Sequence, residues 1–225
     1  MNEQLKTILP ELDNGQREKF CRYYEMLLEW NARVNLTAIT EKTQVAQKHF
    51  ADSLFARPLL KENARVADVG TGAGFPGVPL LITRPDLSLT LIDSLEKRLR
   101  FLEAVLKELG LTAELVHARA EDAGRMPRFR GTFDAALSRA VAPLPTLLEL
   151  TVPLLRVGGS AIASKGDAAA ELAMSQNAAR VLRVELSARQ ENAAWGMRTL
   201  VIATKLGETA AAYPRKAGLP AKRPL

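Results

Sequence analysis

The sequence predicts an α/β protein: a largely parallel sheet of seven strands, closed by an antiparallel terminal hairpin and preceded by a helical extension. Three observations carry this. The run Val66-Ala67-Asp68-Val69-Gly70-Thr71-Gly72-Ala73-Gly74-Phe75-Pro76-Gly77 passes from a short apolar segment into a turn with four glycines. After it, apolar runs alternate with amphipathic segments, the pattern of repeated strand-helix units. Finally, the apolar runs Val181 to Leu186 and Thr199 to Thr204 have no crossover helix between them, so they should pair as a hairpin.

The elements follow in order. Residues 1–64 read as a helical extension. Asp13 is a candidate N-cap, and Phe20, Tyr23, Tyr24, Leu27, Leu28 and Trp30 recur at spacings of three and four, making one core-facing stripe. A second helix is expected from Thr40 to Leu60, broken at Pro58. On it His49, Asp52 and Ser53 share a face. A helix interior lacks the exposed, strained position and oxyanion hole of an activated serine, so they are read as the edge of a binding cleft. Residues 65–205 hold the sheet, with parallel strands expected at Arg65 to Val69, Leu87 to Ile92, Ala113 to His117, Phe133 to Leu137 and Ser160 to Ser164. Helices are expected at Val78 to Thr83, at Leu95 to Leu109 with Gly110 as its stop, and at Leu147 to Leu155 with Pro153 interrupting. Arg119 to Asp122 reads as a polar loop. Residues 206–225 form a basic tail whose prolines should keep it extended.

Composition bounds the function. The chain has 225 residues, 47% hydrophobic and 25% charged, long enough for a substantial core. No apolar run approaches the roughly 18 residues of a membrane span, and Met1-Asn2-Glu3 lacks a basic start and apolar signal core, so a cytoplasmic protein is expected. The lone Cys21 and two histidines leave too few soft ligands for a structural zinc site, and no metal is expected. The net charge of +6 is concentrated at the end of the chain. A focused basic excess suits an anionic partner such as nucleic acid.

The glycine loop fits two cofactors. Gly72 to Gly77 satisfies the dinucleotide pattern G-x-G-x-x-G, and Asp68 to Gly74 equally satisfies the acidic-x-G-x-G-x-G pattern of S-adenosylmethionine enzymes. Asp93, ending the second strand, could accept hydrogen bonds from a ribose in either case. Charge separates them: a pyrophosphate gains from a free helix N-terminus, whereas a cationic sulfonium tolerates Asp68. The terminal hairpin agrees, because five strand-helix units followed by an antiparallel pair resemble the Rossmann-like class I S-adenosylmethionine-dependent methyltransferase fold. In such sheets ligands bind at the carboxyl ends of the strands, so Asp68, Asp93, Glu121, Arg139 and Lys165 should converge there.

Several motifs then occur in order: Trp30-Asn31 with Asn35-Leu36-Thr37-Ala38-Ile39, His49-Phe50-Ala51-Asp52-Ser53-Leu54, the glycine loop, Arg119-Ala120-Glu121, Ser138-Arg139-Ala140-Val141-Ala142, Lys165-Gly166, and Tyr213-Pro214-Arg215-Lys216-Ala217-Gly218-Leu219-Pro220. Together they resemble the bacterial ribosomal RNA small-subunit methyltransferase G family (RsmG/GidB) over nearly the whole chain. The resemblance implies N7 methylation of a guanine in the decoding-region hairpin of 16S ribosomal RNA, with S-adenosyl-L-methionine as cofactor. By the same resemblance Gly70, Phe75, Ala120, Glu121 and Arg139 would contact the cofactor, joined on the residue reading by Asp68, Gly72, Gly74 and Asp93. Arg139 and Lys165 are expected to position substrate; His49, Arg198, Arg215, Lys216 and Lys222 are the candidate RNA contacts. A monomer acting on 16S RNA or the small subunit is expected.

The residues are compatible with such chemistry. Guanine N7 carries an in-plane lone pair and no proton, so no general base is needed. The chain has no N-P-P-Y or D-P-P-Y tetrapeptide of the kind exocyclic-amine methyltransferases use, and Cys21 lies on the N-terminal helix, away from the strand ends. A nicotinamide-dependent oxidoreductase and a non-catalytic RNA-binding module remain the alternatives.

Overall fold

The computed structural model describes residues 1–225. The extension begins with α1 (Asn2–Ile8) and α2 (Asn14–Val34). Asp13 caps α2: its Oδ1 accepts from Gln16 N at 2.8 Å while the Gln16 side chain accepts from Asp13 N at 3.1 Å, a reciprocal capping box. The aromatic stripe of α2 is buried, with Phe20 and Tyr23 wholly so, and packs in the core. The single helix expected from Thr40 to Leu60 is instead divided into α3 (Lys42–Val45), a π-helical turn at Ala46–Ala51, α4 (Asp52–Leu54) and a 3-10 turn at Arg57–Leu59. The chain widens where His49 and Phe50 must both pack inward, and Pro58 sits in the tighter last turn.

The remaining elements are β1 (Arg65–Val69), α5 (Gly77–Thr83), β2 (Ser88–Asp93), α6 (Glu96–Glu108), β3 (Glu114–His117), α7 (Ala120–Ala123), β4 (Phe133–Arg139), α8 (Leu144–Thr151), β5 (Leu155–Lys165), α9 (Ala169–Met174), α10 (Gln176–Leu182), β6 (Val184–Ala193), β7 (Gly196–Lys205) and α11 (Leu219–Lys222). They build one seven-stranded sheet in the order β3-β2-β1-β4-β5-β7-β6. The first five strands are parallel, and β7 runs antiparallel to both β5 and β6. This is the expected class of fold. The strand order reverses between β1 and β4, where loops diverge and leave a crevice.

Both faces of the sheet are covered. Val66, Leu89, Leu91 and Leu137 face a cluster that includes Leu5, Phe20 and Tyr23 of the extension, whereas the alternate residues Ala67, Val69, Ile92 and Ala136 face the opposite side. The extension at 1–64 and the sheet at 65–205 thus share one core.

Four local expectations are revised. Arg119 to Asp122 is a loop only at Arg119, since α7 starts at Ala120. Residues 169–182 form two helices, and β6 starts only at Val184 because Val181 and Leu182 finish α10 before Arg183 turns left-handed. The helix near Pro153 ends at Thr151, and β5 starts at Leu155, so Gly158-Gly159 lies inside the strand. A Cβ at Gly159 would come within 2.9 Å of the Phe133 and Asp134 carbonyls, where the register of β4 and β5 shifts. Finally, the tail is no extended arm: it turns, forms α11, and lays Tyr213 and Leu225 against the core under α8.

Candidate functional site

The glycine loop is held by its neighbours. Gly70 N and Thr71 N both donate to the Ile92 carbonyl, at 2.9 and 3.1 Å, fastening the loop across the end of β2. Gly70, Gly72 and Gly74 have φ of 69°, 59° and 96°, conformations that side chains rarely adopt. Their surroundings differ. A Cβ on Gly72 would meet nothing nearer than the Gly70 carbonyl at 3.9 Å, so the space beside it is open. On Gly74 it would lie 2.6 Å from the Tyr23 hydroxyl and 2.8 Å from Leu102. Gly74, expected at the cofactor, is therefore where α2 and α6 press on the loop. The Tyr23 hydroxyl donates to the Ala73 carbonyl at the same point.

Asp68 is fully buried beneath the loop. Its Oδ2 accepts from Thr71 Oγ1 at 2.7 Å and Gly77 N at 2.9 Å, while Oδ1 has no hydrogen-bond partner. Burial pushes the carboxyl up to about 6, against those two hydrogen bonds and the Arg139 charge, which lower it. Asp68 supports the loop from below rather than lining a cleft.

The cleft above it has a volume of roughly 270 Å³, and Gly70, Asp93, Arg98, Ala120, Glu121 and Val141 are among the residues on its walls. Asp93 Oδ2 accepts from Gly72 N and its Oδ1 from Leu95 N, both at 2.9 Å, with Arg98 Nη1 at 3.3 Å. Oδ2 is thereby saturated, and Oδ1 keeps a lone pair for a ligand. Glu121, placed by the start of α7, accepts from Gly218 N at 2.8 Å through Oε1, and its Oε2 has no protein partner. Val141 covers Gly70 so closely that a Cβ there would lie 2.7 Å from Cγ2.

A second crevice of about 320 Å³ opens past the ends of β4 and β5, lined by Asp52, Arg139, Ser164, Lys165, Gly166 and Arg198, with Ala140 shared between the two clefts. Here the extension, the parallel strands and the hairpin meet. The Asp52 carboxylate accepts from Trp195 Nε1 at 2.7 Å and from Arg198 Nε at 2.8 Å. Lys165 donates to the Ala142 carbonyl at 2.8 Å and to Glu171 at 2.7 Å, bracing the loop after β4 and leaving one N–H free. Arg139 donates to the Lys48 carbonyl at 2.8 Å and lies 5.0 Å from the centre of the Phe75 ring.

Some expected residues do not reach either cleft. His49 is 8% exposed, stacked 4.5 Å from Phe75, with Nε2 bonded to Thr37 at 2.8 Å and Nδ1 facing Arg139 at 3.1 Å. An arginine donating to Nδ1 requires a lone pair there, which assigns the proton to Nε2. Burial and the Arg139 charge hold the imidazole down at about 4, so it stays neutral. His49 is a buried brace for Arg139. Phe75 likewise gives its ring to this stack. Arg215, expected on RNA, is paired with Glu149, with Nη2 at 2.5 Å and Nε at 2.9 Å, and clips the tail to α8. Lys216 and Lys222 stay exposed on the tail. The sequence reading missed Trp195, Arg98 and Glu149. Only Glu149 carried a signal, as the single charge within the apolar segment Leu144–Thr151.

The family profile described as rRNA small subunit methyltransferase G (GidB) matches residues 16–195. The chain belongs to that family. It is 50% identical to the ribosomal RNA small subunit methyltransferase G of Desulfitobacterium hafniense (strain Y51), an alignment covering 96% of this chain and 92% of that protein. Among solved structures it resembles a methyltransferase from Pyrococcus furiosus, with a TM-score of 0.56 at 15% identity over 84% of this chain and 99% of that one. It resembles the [4+2]-cyclase SpnF equally, with a TM-score of 0.58 at 14% identity over 86% and 97%. A shared fold that includes a cyclase leaves the reaction to be argued from family and site.

Proposed function

We propose that this chain transfers a methyl group from S-adenosyl-L-methionine to N7 of a guanine in the decoding-region hairpin of 16S ribosomal RNA, acting as a monomer in the cytoplasm. One observation carries the reading: two clefts at the carboxyl ends of the strands meet at Ala140, the first presenting Asp93 and Glu121 beside Arg98 and Arg119, the second Arg139, Lys165 and Arg198 around the paired Asp52. The carboxylate acceptors of the first suit the hydroxyls and amine of a nucleoside, and the cations of the second an anionic nucleic acid.

The residues fit the cofactor. Gly72 leaves open space against the backbone, Glu121 presents a free carboxylate oxygen, and Asp93 Oδ1 keeps a lone pair for a ribose hydroxyl. When bound, that group supplies an electrophilic methyl on a positively charged sulfur. Gly70, Gly72, Asp93, Ala120 and Glu121 would hold it.

The remaining residues orient the nucleophile. Guanine N7 attacks through its own lone pair, so no side chain has to remove a proton, and alignment of the reactants can supply on the order of 7 to 11 kcal/mol. The product ring is cationic, so an arginine pressed on N7 would oppose the reaction. Arg139, fixed by Lys48, His49 and Phe75, is suited instead to the guanine O6 or a phosphate, with Lys165 and Arg198 beside it. Lys216 and Lys222 remain available for the RNA backbone.

The test is transfer of labelled methyl from S-adenosylmethionine to 16S RNA, free or in the small subunit, with the modified base mapped by mass spectrometry. A single N7-methylguanine is expected. Methylation of an exocyclic amine or a pyrimidine, or no transfer at all, would overturn the proposal.

A further inference from the structure

The tail carries candidate RNA contacts, yet three contacts bring it to α7, the short helix that carries Ala120 and Glu121 into the first cleft. Gly218 N donates to Glu121 Oε1 at 2.8 Å. Arg130 spans the end of α7 and the tail, donating through Nη1 to the Gly124 carbonyl at 3.1 Å and to the Tyr213 carbonyl at 2.7 Å. Pro214 packs so closely on Gly124 that a Cβ there would lie 3.0 Å from its ring.

What holds the tail in place is buried charge. Glu149 is 0% exposed on α8, and Arg215 meets it three times: backbone N at 2.7 Å, Nε at 2.9 Å and Nη2 at 2.5 Å. The same guanidinium donates to the Arg223 carbonyl at 2.7 Å, and Thr146 Oγ1 donates to the Pro220 carbonyl at 3.1 Å, so α11 is closed into a loop against α8. The residue after Glu149, Leu150, lines the first cleft. Gly218 itself has a φ of 81°, a left-handed turn that directs its amide toward Glu121.

We infer that the C-terminal segment is the rear wall of the cofactor site, in which Gly218 is a positioning residue that fixes the Glu121 carboxylate, clipped there by Arg215 and Glu149. The donated hydrogen bond fixes Oε1 and leaves Oε2 to accept from the nucleoside. A rotamer of Glu121 free to turn into solvent would lose that alignment. The inference rests on the reading of Glu121 as a cofactor contact.

Binding of S-adenosylhomocysteine without RNA, followed by calorimetry, tests it in a cycle. The variants are Glu121→Ala, a chain ending at Ala217, and the two combined. Ending at Ala217 keeps Arg215 on Glu149 and removes the Gly218 amide. Each single change should weaken binding about tenfold, the scale of one hydrogen bond to a charged group, and the combination should be no weaker than Glu121→Ala alone. Full-chain Arg215→Lys, which keeps the charge but loses the fork, enters the same cycle should the shortened chain lose its cooperative thermal transition. It should raise KM for S-adenosylmethionine with kcat at saturating cofactor unchanged. Weakening by Glu121→Ala with full affinity in the shortened and Arg215→Lys chains would overturn the tail's role, as would losses that multiply. Unchanged affinity in Glu121→Ala would instead overturn the cofactor reading of that residue.

Discussion

Asp68 and His49 both feel the charge of Arg139, and their ionisations oppose each other. His49 is lowered from 6.5 to about 4, so the unfolded chain binds the extra proton and its contribution to stability is lost as pH falls from 6.5 toward 4. Asp68 is raised from 3.8 to about 6, so the folded chain holds the extra proton and stability is lost as pH rises through that window. The two slopes largely cancel between about pH 4 and 6, each worth on the order of 3 kcal/mol. Asp68→Asn should therefore steepen the rise in stability from pH 4 to 6, read from urea denaturation at each pH; an unchanged profile would deny Asp68 its shifted ionisation. Beside the open space, Gly72→Val should abolish S-adenosylhomocysteine binding while the protein stays folded. Wild-type affinity in that variant would remove the loop from the site. Asp93→Ala should cost about 1 to 3 kcal/mol of cofactor affinity, the range for charged hydrogen bonds, with an unchanged dissociation constant moving the ribose contact elsewhere. These residues were legible because Asp68, the glycines and Asp93 recur at a spacing set by backbone geometry alone. Their division into open-sided Gly72 and packing Gly74 was not, since that depends on Tyr23, some 50 positions earlier in the chain.

At the scale of elements, regular segments were read well and short ones poorly. The long α2 and α6 announce themselves by repeated apolar spacing, whereas the four residues of α7 offer no full period. The π-helical turn at Ala46–Ala51 has no local signature: it accommodates His49 and Phe50, and so reflects packing against Phe75. The tail shows the same limit. Its prolines exclude a long helix but not a single turn, with Pro220 at an early helical position where its missing N–H has no consequence. The clip of α11 to α8 has an energetic test. Arg215→Met alone should destabilise the fold by about 3 to 5 kcal/mol, because it strands a buried carboxylate, while Glu149→Leu with Arg215→Met should recover most of that loss. Equal melting temperatures for the single variant and the native chain would show the pair to be solvated.

For the whole molecule, charge and core give different boundaries. With Arg215 neutralised by Glu149, the exposed tail cations are Lys216, Lys222 and Arg223. Replacing all three with alanine should flatten the salt dependence of RNA binding by up to about two, at roughly 0.7 per lost single-strand phosphate contact, without altering cofactor affinity. A slope unchanged between two salt concentrations would place the RNA elsewhere. The extension cannot be cut away in the same manner, since Leu5, Phe20 and Tyr23 share a cluster with Val66 and Leu89 of the sheet. By itself the sequence determined the class of fold, the strand-glycine-helix turn and the family, because these follow from hydrophobic period, turn chemistry and ordered motifs along the chain. Only the tertiary structure decided that His49 braces Arg139, that Asp52 is held by Trp195 and Arg198 of the hairpin, and that Arg215 pairs with Glu149. A charge becomes a brace or a ligand contact according to what lies opposite it, and the opposing residues here are 66 to 146 positions distant in the chain.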